Sequence, residues 1–245
     1  MKKMLGTSSL LCVFMMSTGA SAADYPTKIN DRPLTLPGGA WVATTAFVAN
    51  KSFDVGSLGF GFGYAVNDEL QLGLGWGGLA LMPEFDVAKN VELGISYSVI
   101  DDADLDIAAG LSLPLNFNDG ADIVSSVGID MNTRYNLMDG SLAIHTGDEL
   151  ISLGFSGDFT LAINIPVAFA YQANENINVS LGTNLMTISV VGGGGVTSIA
   201  DTTPLNLDLS YSVDNSTDVM VGLAADAQAF GDSMMFSVGL AYRGL

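Results

Sequence analysis

The stretch Leu70-Gln71-Leu72-Gly73-Leu74-Gly75-Trp76 places each apolar residue two positions from the next, and that period recurs through most of the chain. A period of two puts Leu70, Leu72, Leu74 and Trp76 on one face of a strand and Gln71, Gly73 and Gly75 on the other. Val91, Leu93, Ile95, Tyr97 and Val99 repeat the split, as do Phe159, Leu161, Ile163, Ile165, Val167, Phe169 and Tyr171. The runs ending at Val213 and at Tyr242 do the same. The second face carries Gly, Ala, Ser, Asn and Asp. Mean hydropathy is therefore high, +0.40, although no apolar run after residue 22 is long enough for a transmembrane helix.

What each face meets decides the fold class. A soluble sandwich or barrel also alternates, but it hides the apolar face and coats the other with Lys, Glu and Arg. Here only 14% of residues are charged and the second face is small and uncharged over long stretches. The apolar face is then the one that points outward, into lipid. The pattern predicts an all-β protein, a transmembrane antiparallel up-and-down β-barrel over residues 40–245.

The tyrosines supply the strand count. Apart from Tyr25 they are Tyr64, Tyr97, Tyr135, Tyr171, Tyr211 and Tyr242, spaced 31 to 40 residues apart. Each ends an alternating run on its apolar face, and all but the last precede a short polar turn such as Asn67-Asp68 or Asp214-Asn215-Ser216. Strands of a transmembrane barrel end at the same membrane face every second crossing, where aromatic residues form a girdle and the turns are short. Six such tyrosines, read as a periplasmic girdle, predict about 12 strands: 41–49, 57–66, 69–76, 91–99, 104–115, 123–137, 141–153, 159–171, 177–189, 204–213, 218–227 and 234–243. Residues 79–88 and the stretch Ile144-His145-Thr146-Gly147-Asp148-Glu149-Leu150 leave ten or fourteen open. Longer loops fall at the opposite end, with Phe53, Phe85, Phe117 and Phe230 placed for an outer girdle. Pro114 and Pro166 lie inside strands, where each removes a ladder bond and marks a bulge or a margin.

Lys2 and Lys3, the apolar run from Leu10 to Met16 and the small-residue series Ala20-Ser21-Ala22 have the form of a secretory signal over residues 1–22, cleaved after Ala22. Cys12, the single cysteine, lies inside it, so disulfides, thiolate metal sites and a cysteine nucleophile are not expected. Residues 23–39 read as a periplasmic N-terminal lead-in. Loss of Lys2 and Lys3 leaves six basic against 26 acidic residues, a balance that excludes nucleic acid as a partner.

The signal, the periodic tyrosines and the terminal run Met234-Met235-Phe236-Ser237-Val238-Gly239-Leu240-Ala241-Tyr242 resemble a Gram-negative outer-membrane β-barrel, porin-like and of an uncharacterised subfamily. The resemblance covers essentially the whole chain after the signal. It implies location in the outer membrane, outer-membrane lipid as the surroundings, and a last strand read by the outer-membrane assembly machinery through Phe236, Val238, Leu240 and Tyr242.

If the apolar faces meet lipid, the alternate residues line the interior. The candidates are Glu92, Asp106, Asp130, Arg134, His145, Asn164, Asn206, Asp208, Asp226 and Arg243, with Asp104 and Asp218 one step past a turn. Carboxylates in a water-filled channel concentrate cations. The leading expectation is a narrow passive pore for small solutes with a mild cation preference, Arg134 serving in a salt bridge with Asp130 or another acid. A closed structural or adhesive barrel acting through its outer loops is the alternative. Some barrels of this strand count are lipid hydrolases with a Ser/His pair, for which His145 with Ser152 and Asp148 is the available set, but no hydrolase motif accompanies them. Neither an enzyme, nor a cofactor, nor a metal site is expected: Asp101 to Asp106 lacks the glycine and final glutamate of a calcium loop, and the glycines from Gly192 have no following lysine.

Overall fold

The computed structural model describes residues 25–156, 158–191, 195–199 and 203–244. The signal expected over residues 1–22, its cleavage point and the glycines at 192–194 lie outside them.

The alternating runs form strand segments β1 Trp41–Asn50, β2 Gly56–Ala65, β3 Leu70–Met82, β4 Asp86–Val87, β5 Asn90–Asp101, β6 Leu105–Asn116, β7 Ser126–Leu137 and β8 Leu142–Thr146. They continue as β9 Ile151–Gly154, β10 Thr160–Gln172, β11 Ile177–Val191, β12 Gly195–Ile199, β13 Pro204–Ser212, β14 Thr217–Asp226 and β15 Met235–Gly244. Three crossings are interrupted. Segments β4 and β5 both pair with β3, β8 and β9 both pair with β7 and β10, and β12 and β13 both pair with β11. Twelve antiparallel crossings result, and β15 pairs with β1 from Trp41↔Gly244 to Asn50↔Met235, so the sheet closes into a barrel without an edge. The twelve-strand expectation holds. Residues 79–88 are the top of β3 folded back on β4 rather than an extra crossing.

Two irregularities have local causes: the register shift of β3 against β2 and the break between β8 and β9. Gly78 (φ +78°) and Gly147 (φ +92°) are left-handed, and a Cβ at either would overlap a backbone carbonyl oxygen, of Leu58 and of Met131 respectively. Only glycine fits where the chain leaves the ladder that closely. Pro166 sits at a register shift against β11, and Pro114 lies past Ser112, the last β6 residue paired with β7, so both prolines occupy places where the ladder is already broken.

Alternation places the faces as expected. Leu72, Leu74, Leu93, Ile95, Leu207, Leu209, Val221, Val238 and Leu240 are 42–52% exposed on the outside. So continuous an apolar surface is incompatible with water as its only surroundings and fits hydrocarbon. Tyr64, Tyr97, Tyr135, Tyr171, Tyr211 and Tyr242 all point outward, 43–55% exposed, at the end of the barrel that carries the short turns. Among the described residues no helix is long and apolar enough to cross a membrane; the strands do the crossing.

Candidate functional site

The interior divides into a mouth at the short-turn end and a lumen beyond it. The mouth is filled by residues 25–37, the stretch expected as a lead-in, which fold inward before β1 begins. Pro26, Pro33 and Pro37 deny this stretch a regular ladder, so its polar groups find side-chain partners instead. Leu36 N–H donates to Gln71 Oε1 at 3.0 Å and Asn30 N–H to Gln172 Oε1 at 3.3 Å. The Asn30 side chain donates to the Gly140 carbonyl (2.9 Å) and accepts from Asn178 (2.9 Å), and Thr35 Oγ1 donates to the Asp68 carbonyl (3.0 Å).

Arg32 is the central contact. Its guanidinium reaches Asp218 through Nη1 (2.6 Å) and Nη2 (3.1 Å), donates to Ser212 Oγ (2.9 Å), and closes its own segment by donating to the Pro26 and Thr27 carbonyls (2.9 Å each). Arg243 shares the same carboxylate at 2.5 Å, and the Tyr25 ring lies under both guanidiniums, 5.3 Å from that of Arg32 and 5.7 Å from that of Arg243. Tyr25, Asn30, Arg32, Thr35 and Leu36 are each no more than 2% exposed. Leu36 packs with Ala40, Val42, Ala65, Ala241 and Met220, an apolar cluster inside the mouth. Burial of a leucine side chain of this kind contributes about 1.5–3 kcal/mol.

Beyond the mouth the lining is acidic and small. Glu92, Asp130 and Asp148 border a cavity of ≈ 80 Å³ whose walls include Gly73, Gly94 and Gly110, and Leu34 of the mouth segment closes one side. A Cβ on Gly94 would meet only the Gly73 Cα, at 3.8 Å, so glycine here leaves open space. Asp130 Oδ1 accepts from Glu149 N–H (2.8 Å) at the point where β8 gives way to β9. Asp208 lies over Gly222, where a side chain would collide with the carboxylate.

The sequence-derived lining residues fall into three groups. Glu92, Asp130, Asn206 and Asp208 face the lumen. Asn164 also faces inward but is engaged, donating to the Glu149 carbonyl (2.9 Å) and accepting from Thr187 (2.8 Å). Asp106, Arg134 and Arg243 belong to the mouth. Arg134 pairs with Asp106 rather than Asp130, and its Nη1 reaches the Ile29 carbonyl at 3.4 Å. Asp226 sits at the loop end, accepting from Gln228 N–H at 3.0 Å and Thr203 N–H at 3.3 Å. His145 stands opposite Arg134 with Nδ1 buried and without a hydrogen bond. It pairs with Ala168 of β10 whereas Ser152 pairs with Ala162, a separation of roughly 20 Å along the strand, so the two cannot form a dyad. Among the described residues no group of three or more His, Cys, Asp or Glu has metal-holding geometry.

Sequence reasoning missed Tyr25, Asn30, Arg32 and Leu36. The only local signal was a run of prolines with polar residues between them, which says that the segment is not a strand and nothing about where it goes.

Outward apolar faces, an aromatic ring at the short-turn end, a polar interior and a closed ladder define the class: a twelve-stranded transmembrane β-barrel of porin architecture. Neither a protein-family model nor a curated protein matches the chain. Solved structures do. A KdgM porin superposes with a TM-score of 0.52 at 16% identity, over 82% of this chain and 98% of that one. The KdgM porin in complex with disordered oligogalacturonate gives 0.51 at 14% identity, over 83% and 98%. A NanC porin gives 0.55 at 8% identity, over 82% and 98%. At such identities the likeness is one of fold.

Proposed function

We propose that this chain is an outer-membrane pore, a narrow passive conduit for small solutes with a mild preference for cations. The observation that carries the reading is the lumen beyond the mouth: open space over glycines, bordered by Glu92, Asp130 and Asp148, with Asp208 further round the wall. Carboxylates in a confined aqueous channel raise the local concentration of cations and oppose anions. One of the similar porins is solved with oligogalacturonate, a polyanion; an acidic lumen is unsuited to such a solute and favours neutral or cationic ones. Outer-membrane lipid surrounds the barrel, the chain arrives through a signal cleaved after Ala22, and the final strand, with Phe236, Val238, Leu240 and Tyr242 outward, is the part the assembly machinery reads. No catalysis is assigned.

Single-channel recording of the purified protein in a planar bilayer under a salt gradient tests this. Discrete steps with a cation-leaning reversal potential, moved toward zero by Asp130→Asn with Asp208→Asn, are expected. A folded, heat-modifiable barrel that stays electrically silent overturns it. That outcome favours a second reading, a closed barrel acting through its outer loops, for which the filled mouth is the supporting observation.

A further inference from the structure

We propose that residues 25–37 are a tethered gate: seated, they close the short-turn mouth, and swung out about Gly38-Gly39 they open it. The proposal rests on the pore reading and adds its regulation.

Three features separate a gate from a fixed part of the wall. First, the barrel is complete without the segment. The ladder closes through β1 and β15, and the segment adds no strand; its last backbone bonds to the sheet are Gly39 N–H to the Ala65 carbonyl (2.9 Å) and the reciprocal Ala65 N–H to Ala40 (2.9 Å), where β1 starts. Withdrawal therefore breaks side-chain contacts and leaves every inter-strand ladder intact.

Second, those contacts straddle the opening. They reach Gln71 on β3, Arg134 on β7, Gln172 on β10, Asn178 on β11, Ser212 on β13 and Asp218 on β14. A segment tied to so many sides of one mouth lies across the path of a solute. The partners lie at the strand ends, on the inner face, where water replaces the lost bonds once the segment leaves. The largest single attachment is the Arg32–Asp218 pair, which acts as the latch.

Third, the connection is built to turn. Gly39 is left-handed (φ +86°) and a Cβ there would touch nothing within 4 Å, so the hinge residue is not wedged by neighbours. Gly38 N–H donates to Asp68 Oδ1 (2.7 Å), one more side-chain contact that withdrawal breaks, and Pro37 before it restricts the chain on the segment's side, so rotation at Gly39 carries the segment with it.

The test is a reversible lock. Asn30 and Asn178 touch through their side-chain ends at 2.9 Å, and the pair Asn30→Cys with Asn178→Cys, in a Cys12→Ser background, is joined by a short bis-methanethiosulfonate linker that forms a disulfide with each thiol, so that in this oxidised form the segment is tied to β11 until a reductant releases it. Single-channel recordings of the same preparation, oxidised and then reduced, are compared with those of Arg32→Met. Folding is checked in each case by heat-modifiable migration. For a gate whose open state is a minor one, of order 0.1–10% populated, oxidation abolishes the openings and reduction restores them. Arg32→Met raises the open probability by about ten-fold or more, because loss of the latch shifts the two-state balance. Equal conductance in the oxidised and reduced forms overturns the gate while leaving the pore standing. Silence of both forms, shared by a variant lacking residues 25–36, overturns the pore and the gate together.

Discussion

The two regions of the interior draw on the same residue types and use them in opposite ways. At the mouth, Arg32, Arg243 and Asp218 are buried to 3% exposure or less and satisfy one another, with Ser212 and Tyr25 completing the cluster. In the lumen beyond, Asp208 lies beside Gly222, and no lysine or arginine forms an ion pair with it among the described residues. The difference follows from what covers each. A chain segment packed over the mouth removes water, so a charge there must have a counter-charge. An open channel keeps water, so a charge there needs none and its field remains available to a passing ion.

That contrast is breakable, most severely at the mouth. Asp218→Ala strips two buried guanidiniums of their shared carboxylate and is expected to cost about 3–5 kcal/mol; urea unfolding in lipid vesicles measures it, and a loss near zero would mean that the cluster is solvated. Asp208→Ala, the same chemistry in the lumen, leaves no buried guanidinium without its carboxylate and is expected to change stability by much less, about 1 kcal/mol or below. The pair of variants in one unfolding series sharpens the comparison directly.

Selectivity is expected to invert the order. Glu92→Gln with Asp130→Asn is expected to lower the cation-to-anion permeability ratio about two- to five-fold, read from the reversal potential in a salt gradient, because lining carboxylates set the local potential. Asp106→Asn, paired at the mouth with Arg134, is expected to move that potential less. Gly94→Leu fills open lumen without displacing backbone and is expected to reduce unit conductance with little change in stability. The smallest effect belongs to the outside: Tyr171→Ala in the girdle is expected to cost about 0.5–1.5 kcal/mol, the scale of one aromatic contact, with conductance unaltered.

Much of the barrel is legible in the chain because a strand writes its environment locally. The period of two in Leu70–Trp76 or Phe159–Tyr171 says which residues share a face, and tyrosines near the end of every second strand give the count and the sidedness. Parity likewise assigns Glu92, Asp130 and Asp208 to the interior. The register shift at Gly78 and the break at Gly147 were not readable as such, since they depend on carbonyls of neighbouring strands. Nor was the partner of Arg134: Asp130 shares its strand and its face, but cross-strand register brings Asp106 beside it.

By itself, then, the sequence determined a closed antiparallel barrel, lipid outside and acid inside, because alternation is a property of neighbours two residues apart. Only the tertiary structure decided that residues 25–37 occupy the mouth. That segment has no period, and its binding partners lie far along the chain, Gln172 and Asn178 from Asn30, Asp218 from Arg32. They converge only because barrel closure brings the inner faces of many strand ends to one opening, where a proline-rich polar segment finds the bonds it cannot make by itself.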